Sequence, residues 1–193
     1  MQPSSLDVIA DALGASGFPS GAMSSPDGAV TLLVTDVHEC RAIEERIGTE
    51  LLDALLQGHR AVVERLAAEH GGEVVKVERD AVMISFASSH AALRCAVELQ
   101  RAIADLDPDA TEPLLRRAGL HSGFVIQSGE AVFGRNVVIA ARITDQARAG
   151  EILVSAAVKE YTETDPSFRF DSRAAVHFRG VHGEHEMYGV AWR

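Results

Sequence analysis

Apolar residues recur along this chain in short blocks whose spacing switches between the periods of strand and helix. The run AVTLLVTD (29–36) is nearly continuous and rich in β-branched residues, which reads as a buried strand. A long helical stretch follows over about 40–70, with Leu51, Leu52, Leu55, Val62, Val63 and Leu66 on its apolar face. Gly71-Gly72 ends it, as a helix C-terminus prefers. EVVKVE (73–78) and DAVMISF (80–86) form a hairpin, and AALRCAVELQRAIADL (91–106) returns to helical spacing. After a polar, proline-bearing loop at 107–113 come a strand near 115–127, a helix near 135–148 and the strand EILVS (151–155). The tail reads as a short helix and two or three strands ending in MYGVAW.

The order strand–helix–strand–strand–helix–strand is ferredoxin-like. It predicts an α/β (α+β) domain with a mainly antiparallel sheet and a C-terminal strand extension. Before it, residues 5–13 predict a short amphipathic helix, with Ser5 as cap and Leu6, Ile9, Ala10 and Leu13 on one face. GASGFPSGAMSSPDG (14–28) has the composition of a flexible linker. The expected organisation is a helix and linker over 1–28 and one domain over 29–193.

The 193 residues suffice for a sizeable core, and 47% hydrophobic content argues against disorder. A net charge of −10, with no basic run, argues against a nucleic-acid polymer or an anionic membrane as partner. A nucleotide remains compatible, since its phosphates need only local cations. Cys40 and Cys95 are the only cysteines and lack metal-ligand spacing, which suits a reduced, cytoplasmic protein. The opening MQPSSLDVIADALG shows neither a basic segment nor a long apolar run, so no signal peptide or membrane span is expected.

Two carboxylates change the picture most. Asp36 ends the first strand and Asp80 opens the third. In one antiparallel sheet, the end of the first strand lies beside the start of the third, so the two aspartates meet. Paired carboxylates with no obvious basic partner suit a hard divalent cation, magnesium or manganese, shared with phosphate oxygens. Taken alone, Asp36 reads better as a helix N-cap and Asp80 as a tight-turn residue; it is the two together that point to a cation. Lys76 alone reads as an exposed strand lysine and Arg142 as a surface residue of a helix. His182 and His185 have no third ligand and read as surface residues of a hairpin.

Five segments, in order, resemble the class III nucleotidyl cyclase catalytic domain, the adenylyl/guanylyl cyclase family. They are VTLLVTDVHEC, HGGEVVKVERDAVMISF, RRAGLHSG, FGRNVVIAARITDQARAGEILVS and FRGVHGEHEMYGV. The resemblance runs from about Ala29 to Arg193. It implies a nucleoside triphosphate bound between two copies packed head to tail, and two metals, Mg2+ or Mn2+, on Asp36 and Asp80. The Val37 carbonyl would add a metal ligand. Backbone N–H groups of Val37, His38, Glu39, Cys40 and Arg41 would cradle phosphates. Lys76 would read the purine edge, and Arg142 would stabilise charge on the α-phosphate, both in the partner's site.

The chain departs from the family pattern at several positions. Val138 stands where a ribose-orienting asparagine is usual, and Ala131 at the second base-reading position. Glu39 and Arg79 replace glycines beside the two aspartates, and Glu186 replaces a basic phosphate contact. Arg79 offers an alternative: its guanidinium could neutralise the carboxylates in place of a metal. Two readings follow, a working cyclase most suited to ATP, and a degenerate cyclase-homology domain that senses a nucleotide or dimerises without turnover. A diguanylate cyclase is disfavoured by the absence of a G-G-[DE]-E-F motif.

Overall fold

The computed structural model describes residues 4–14, 24–106, 114–124 and 130–193, with only the backbone described at 13, 14 and 130–133. The elements are α1 (Ser5–Gly14), β1 (Ala29–Val37), α2 (Cys40–Ile47), α3 (Thr49–Glu69), β2 (Glu73–Glu78) and β3 (Ala81–Phe86). There follow α4 (Ser89–Leu106), β4 (Arg116–Phe124), α5 (Glu130–Gln146), β5 (Ile152–Ser155), α6 (Ala156–Thr162), β6 (Phe170–Ser172) and β7 (Met187–Val190). The sheet order is β2-β3-β1-β4-β5-β7-β6. Its first four strands have the ferredoxin-like arrangement, and the rest are the expected C-terminal extension. All pairings are antiparallel except β4–β5.

Alternation along β1 divides the molecule into two layers. Leu33 faces the larger core, with Val63 and Leu66 of α3 and Leu93, Ala96 and Leu99 of α4. Leu32 and Val34 face the other side, where Val137 and Ala140 of α5 meet Leu6 and Ile9 of α1. Helix α1 thus packs on the sheet as part of the domain's second layer. The expected Leu13 contact and most of the linker, 15–23, lie outside the described residues.

Two details fix how the layers sit. A Cβ on Gly119 of β4 would lie 2.4 Å from the Thr144 backbone nitrogen, so only glycine lets α5 come this close. Gly72 serves β3 likewise, since a Cβ there would lie 2.4 Å from the Phe86 ring.

The helix expected over 40–70 is two helices. Gly48, at φ 84°, adopts a conformation outside the helical region, ends α2 and starts α3 in a new direction. This break lets α2 remain beside the end of β1, with Ile43 packed on Val37, Leu52 and Leu56.

Candidate functional site

Asp36 and Asp80 come to the same sheet edge. Thr35 pairs with Val82 across β1–β3, and Asp80 lies in the two-residue turn closed by Glu78 and Ala81. Both side chains are buried. Burial pushes the Asp36 carboxyl above its ordinary value; the bonds from Arg117 pull it back, and the Asp80 charge raises it again. The two carboxylates therefore feel each other, and a cation between them would relieve both.

The expectation that no base stands beside them is wrong. Arg117, directly opposite Asp36 on β4, donates from Nε to Oδ1 at 2.8 Å and from Nη2 to Oδ2 at 3.1 Å. Its Nη1 also donates to the Asp145 carbonyl at 3.0 Å. The preceding residue points to the opposite face of the strand. Arg116 is wholly buried and donates to the Thr35 carbonyl at 3.2 Å and the Asp80 carbonyl at 2.6 Å through one nitrogen, Nη2. Its Nε reaches the Thr35 hydroxyl at 3.1 Å. Burial lowers this guanidinium to about 10, so it stays charged at neutral pH while tying the two aspartate-bearing segments together.

The salt bridge of Arg79 goes to neither aspartate, although the Asp80 charge is felt at its guanidinium. It pairs with Glu44 on α2. Arg79 (φ 50°) and Glu39 (φ 54°) are the positive-φ non-glycine residues among the described ones. They stand where the family resemblance expects glycine, and each carries a cost of about 1–2 kcal/mol for the left-handed backbone.

The loop after Asp36 is partly committed to the fold. The His38 N–H donates to the Leu115 carbonyl at 3.0 Å. Val37 and Cys40 bury their side chains in the small cluster around α2, and Arg41 is exposed. Burial pushes the Cys40 thiol up to about 12, with the Asp80 charge adding to it, so it stays neutral. Glu39 precedes α2 without capping it through its side chain.

Lys76 lies opposite Met83, on the sheet face that carries Leu6 and Ile9. Its ammonium is 3.8 Å from Glu78. A register shift between Val74 and Lys76 sets it there. Val138 is half-buried on α5, one turn before Arg142. The side chain of Ala131 lies outside the described residues. Glu186 is exposed and accepts from the Tyr188 hydroxyl at 3.0 Å. His182 is exposed, but His185 is half-buried and stacks on Phe178 at 4.8 Å between ring centres.

Arg142 is engaged from α1. Its Nη1 donates to Asp7 Oδ1 at 2.8 Å, while its Nε is buried with no acceptor. Two residues earlier, the Ser5 hydroxyl donates to Asp80 Oδ1. Sequence reasoning missed Arg116, Arg117, Ser5 and Asp7. The Arg-Arg doublet on a predicted strand was a usable signal; nothing local marked Ser5 or Asp7.

Among the described residues, no group of three or more His, Cys, Asp or Glu is arranged to hold a metal by itself. Asp36 and Asp80 offer hard, mutually coupled oxygen donors, and magnesium is commonly held by one or two carboxylates with phosphate oxygens. The donor set fits such a cation. No helix among the described residues is long and apolar enough to cross a membrane.

Residues 23–191 match a family model described as the adenylate and guanylate cyclase catalytic domain. An uncharacterized protein of Mycobacterium tuberculosis is 31% identical over 134 residues, covering 68% of this chain and 44% of the relative. A putative adenylate cyclase of Rhizobium meliloti is 30% identical over 141 residues, covering 71% of this chain and 24% of the relative. The chain thus spans less than half the length of these curated relatives. In fold it is similar to adenylate cyclases of Trypanosoma brucei solved in their monomeric state. The TM-score is 0.74 at 23% identity, with 88% of this chain and 90% of that one covered.

Proposed function

The chain belongs to the adenylate and guanylate cyclase catalytic domain family, and from that premise we propose that it converts a nucleoside triphosphate, ATP by preference, into a 3′,5′-cyclic nucleotide and pyrophosphate. The observation that carries this reading is the meeting of Asp36 and Asp80, buried and electrostatically coupled, at one sheet edge. Two Mg2+ or Mn2+ ions, held by Asp36, Asp80 and the Val37 carbonyl, would act as Lewis acids on the phosphates. The ribose 3′-oxygen bonds to the α-phosphorus, the bond from that phosphorus to the bridging oxygen breaks, and the hydroxyl proton leaves to water.

The chain's own residues orient and neutralise. Arg117 favours the ionised form of Asp36 against its burial, and Arg116 keeps both aspartate segments in register. Backbone N–H groups near Glu39, Cys40 and Arg41 would hold the terminal phosphates. Arg142 would counter charge building on the α-phosphate, and Lys76 would contact the purine. Both would act in the site built on a second copy's aspartates, which makes the working unit a homodimer. With Ala131 and Val138 lacking hydrogen-bonding groups, the rate is low.

A second reading, a nucleotide-sensing or dimerisation domain without turnover, draws support from Arg117 already occupying Asp36. Incubation of pure protein with each of the four NTPs and manganese, with products read by mass spectrometry, separates the two. A cyclic product supports the enzyme. Its absence at high protein concentration, with nucleotide binding retained, supports the sensor.

A further inference from the structure

Helix α1 reaches both of the groups that the proposed reaction keeps for different partners. Ser5 donates to Asp80, whose site is its own copy's, and Asp7 takes Arg142, whose site is the second copy's. Between these two contacts Leu6 is buried, 1% exposed, and one turn on Ile9 is fully buried. They pack on Val30, Val34, Met83 and Val137, the apolar patch that Lys76 borders. A second copy using Lys76 and Arg142 would have to cover this same patch.

The α1 contacts on charged groups are partial. Arg142 receives one carboxylate oxygen while its Nε remains buried and unpaired. Such a guanidinium still has donors to give to a richer acceptor such as a phosphate. Asp80 receives a neutral hydroxyl, which a divalent cation would displace. Both contacts are weaker substitutes for what a loaded site would supply. The sequence after α1, residues 15–28, has the glycine, serine and proline content of a linker.

We propose that α1 is a built-in competitor for this face, occupying the site and the surface on which a second copy packs, so that metal binding and self-association both require its release. The identity of the second copy as occupant rests on the cyclase reading. The displacement itself rests on the contacts of Ser5, Leu6, Asp7 and Ile9.

The test uses the full chain and readouts other than turnover. Ser5→Ala combined with Asp7→Ala removes the polar latch and leaves the apolar contacts in place. Leu6→Asp with Ile9→Asp detaches the helix by the opposite route. Sedimentation velocity reads self-association, and electron paramagnetic resonance reads binding of Mn2+ alone. We expect the latch variant to associate more strongly than the wild type and to bind Mn2+ at least about tenfold more tightly, the scale of the one contact to a charged group that Ser5 makes on Asp80. The detached variant should change both in the same direction. Wild-type values for both measurements in the latch variant overturn the proposal. If that variant dimerises and binds Mn2+ more tightly but no protein makes a cyclic product, the competitor stands and the enzyme reading falls. If all make product at one rate with unchanged association, the competitor falls and the enzyme reading stands.

Discussion

Arg117 grips both oxygens of Asp36 across the β1–β4 pairing, at 2.8 and 3.1 Å, with the carboxylate side chain only 6% exposed. A buried pair of this kind costs more to break than it contributes intact. Arg117→Met should destabilise the protein by about 3–5 kcal/mol, and adding Asp36→Asn should recover part of that loss. Urea unfolding of the four proteins of this cycle checks it; strict additivity would show that the two residues are not coupled.

Arg116 acts one layer deeper. Its Nη2 joins the Thr35 and Asp80 carbonyls while its Nε reaches the Thr35 hydroxyl, a planar set of donors on two nitrogens that a single ammonium cannot copy. Arg116→Lys should cost about 1.5–3 kcal/mol for each charge-assisted bond lost and weaken Mn2+ binding with it. Loss of stability without any change in Mn2+ affinity would limit Arg116 to a structural role.

Turnover should respond in opposite directions to two substitutions. Asp80→Ala should abolish it, because Asp36 alone cannot hold two cations against a triphosphate. Val138→Asn should raise it, by about a hundredfold or more on the scale of one oriented donor. Single-turnover measurements with manganese and ATP report both.

If two copies share each site, inactive Asp36→Ala and Arg142→Ala proteins should regain activity when mixed, since the heterodimer has one complete site. Recovery is measured after subunit exchange has been confirmed. No recovery between folded, exchanging variants of an active parent would count against shared sites.

Acid should weaken the fold through His59. This side chain is buried on α3 with Nδ1 unpartnered, and burial, aided by the Arg116 charge, lowers it to about 4. The unfolded chain binds that proton from about pH 6.5 downward. Stability is therefore full above pH 6.5 and falls by up to about 3 kcal/mol as pH drops toward 4. His59→Leu should flatten this slope in urea titrations at pH 7 and pH 5. An unchanged slope would show that His59 is not its source.

The periodicity of β1, the hairpin and α4 was legible because each element's apolar face is large and regular. Asp36 and Asp80 were legible as neighbours because strand order alone brings the end of β1 beside the start of β3. Gly48 was harder to read, since a glycine within an amphipathic stretch is compatible with one continuous helix. The partner of Asp36 depended on the β1–β4 register, which no local pattern sets. The contacts of Ser5 and Asp7 span 75 and 135 positions in sequence, and a short amphipathic helix does not name the face it will cover.

The register shift in β2 has a consequence for how copies of this chain can meet. Among the described strands β2 is the last on its side of the sheet, so its outer backbone groups could template a foreign strand. The irregularity between Val74 and Lys76 twists that rim, and Glu73, Lys76 and Glu78 line it with charge. Rim-to-rim extension of the sheet, the usual first step toward fibrous aggregates, is thereby discouraged. The β2 rim is thus closed to open-ended strand addition.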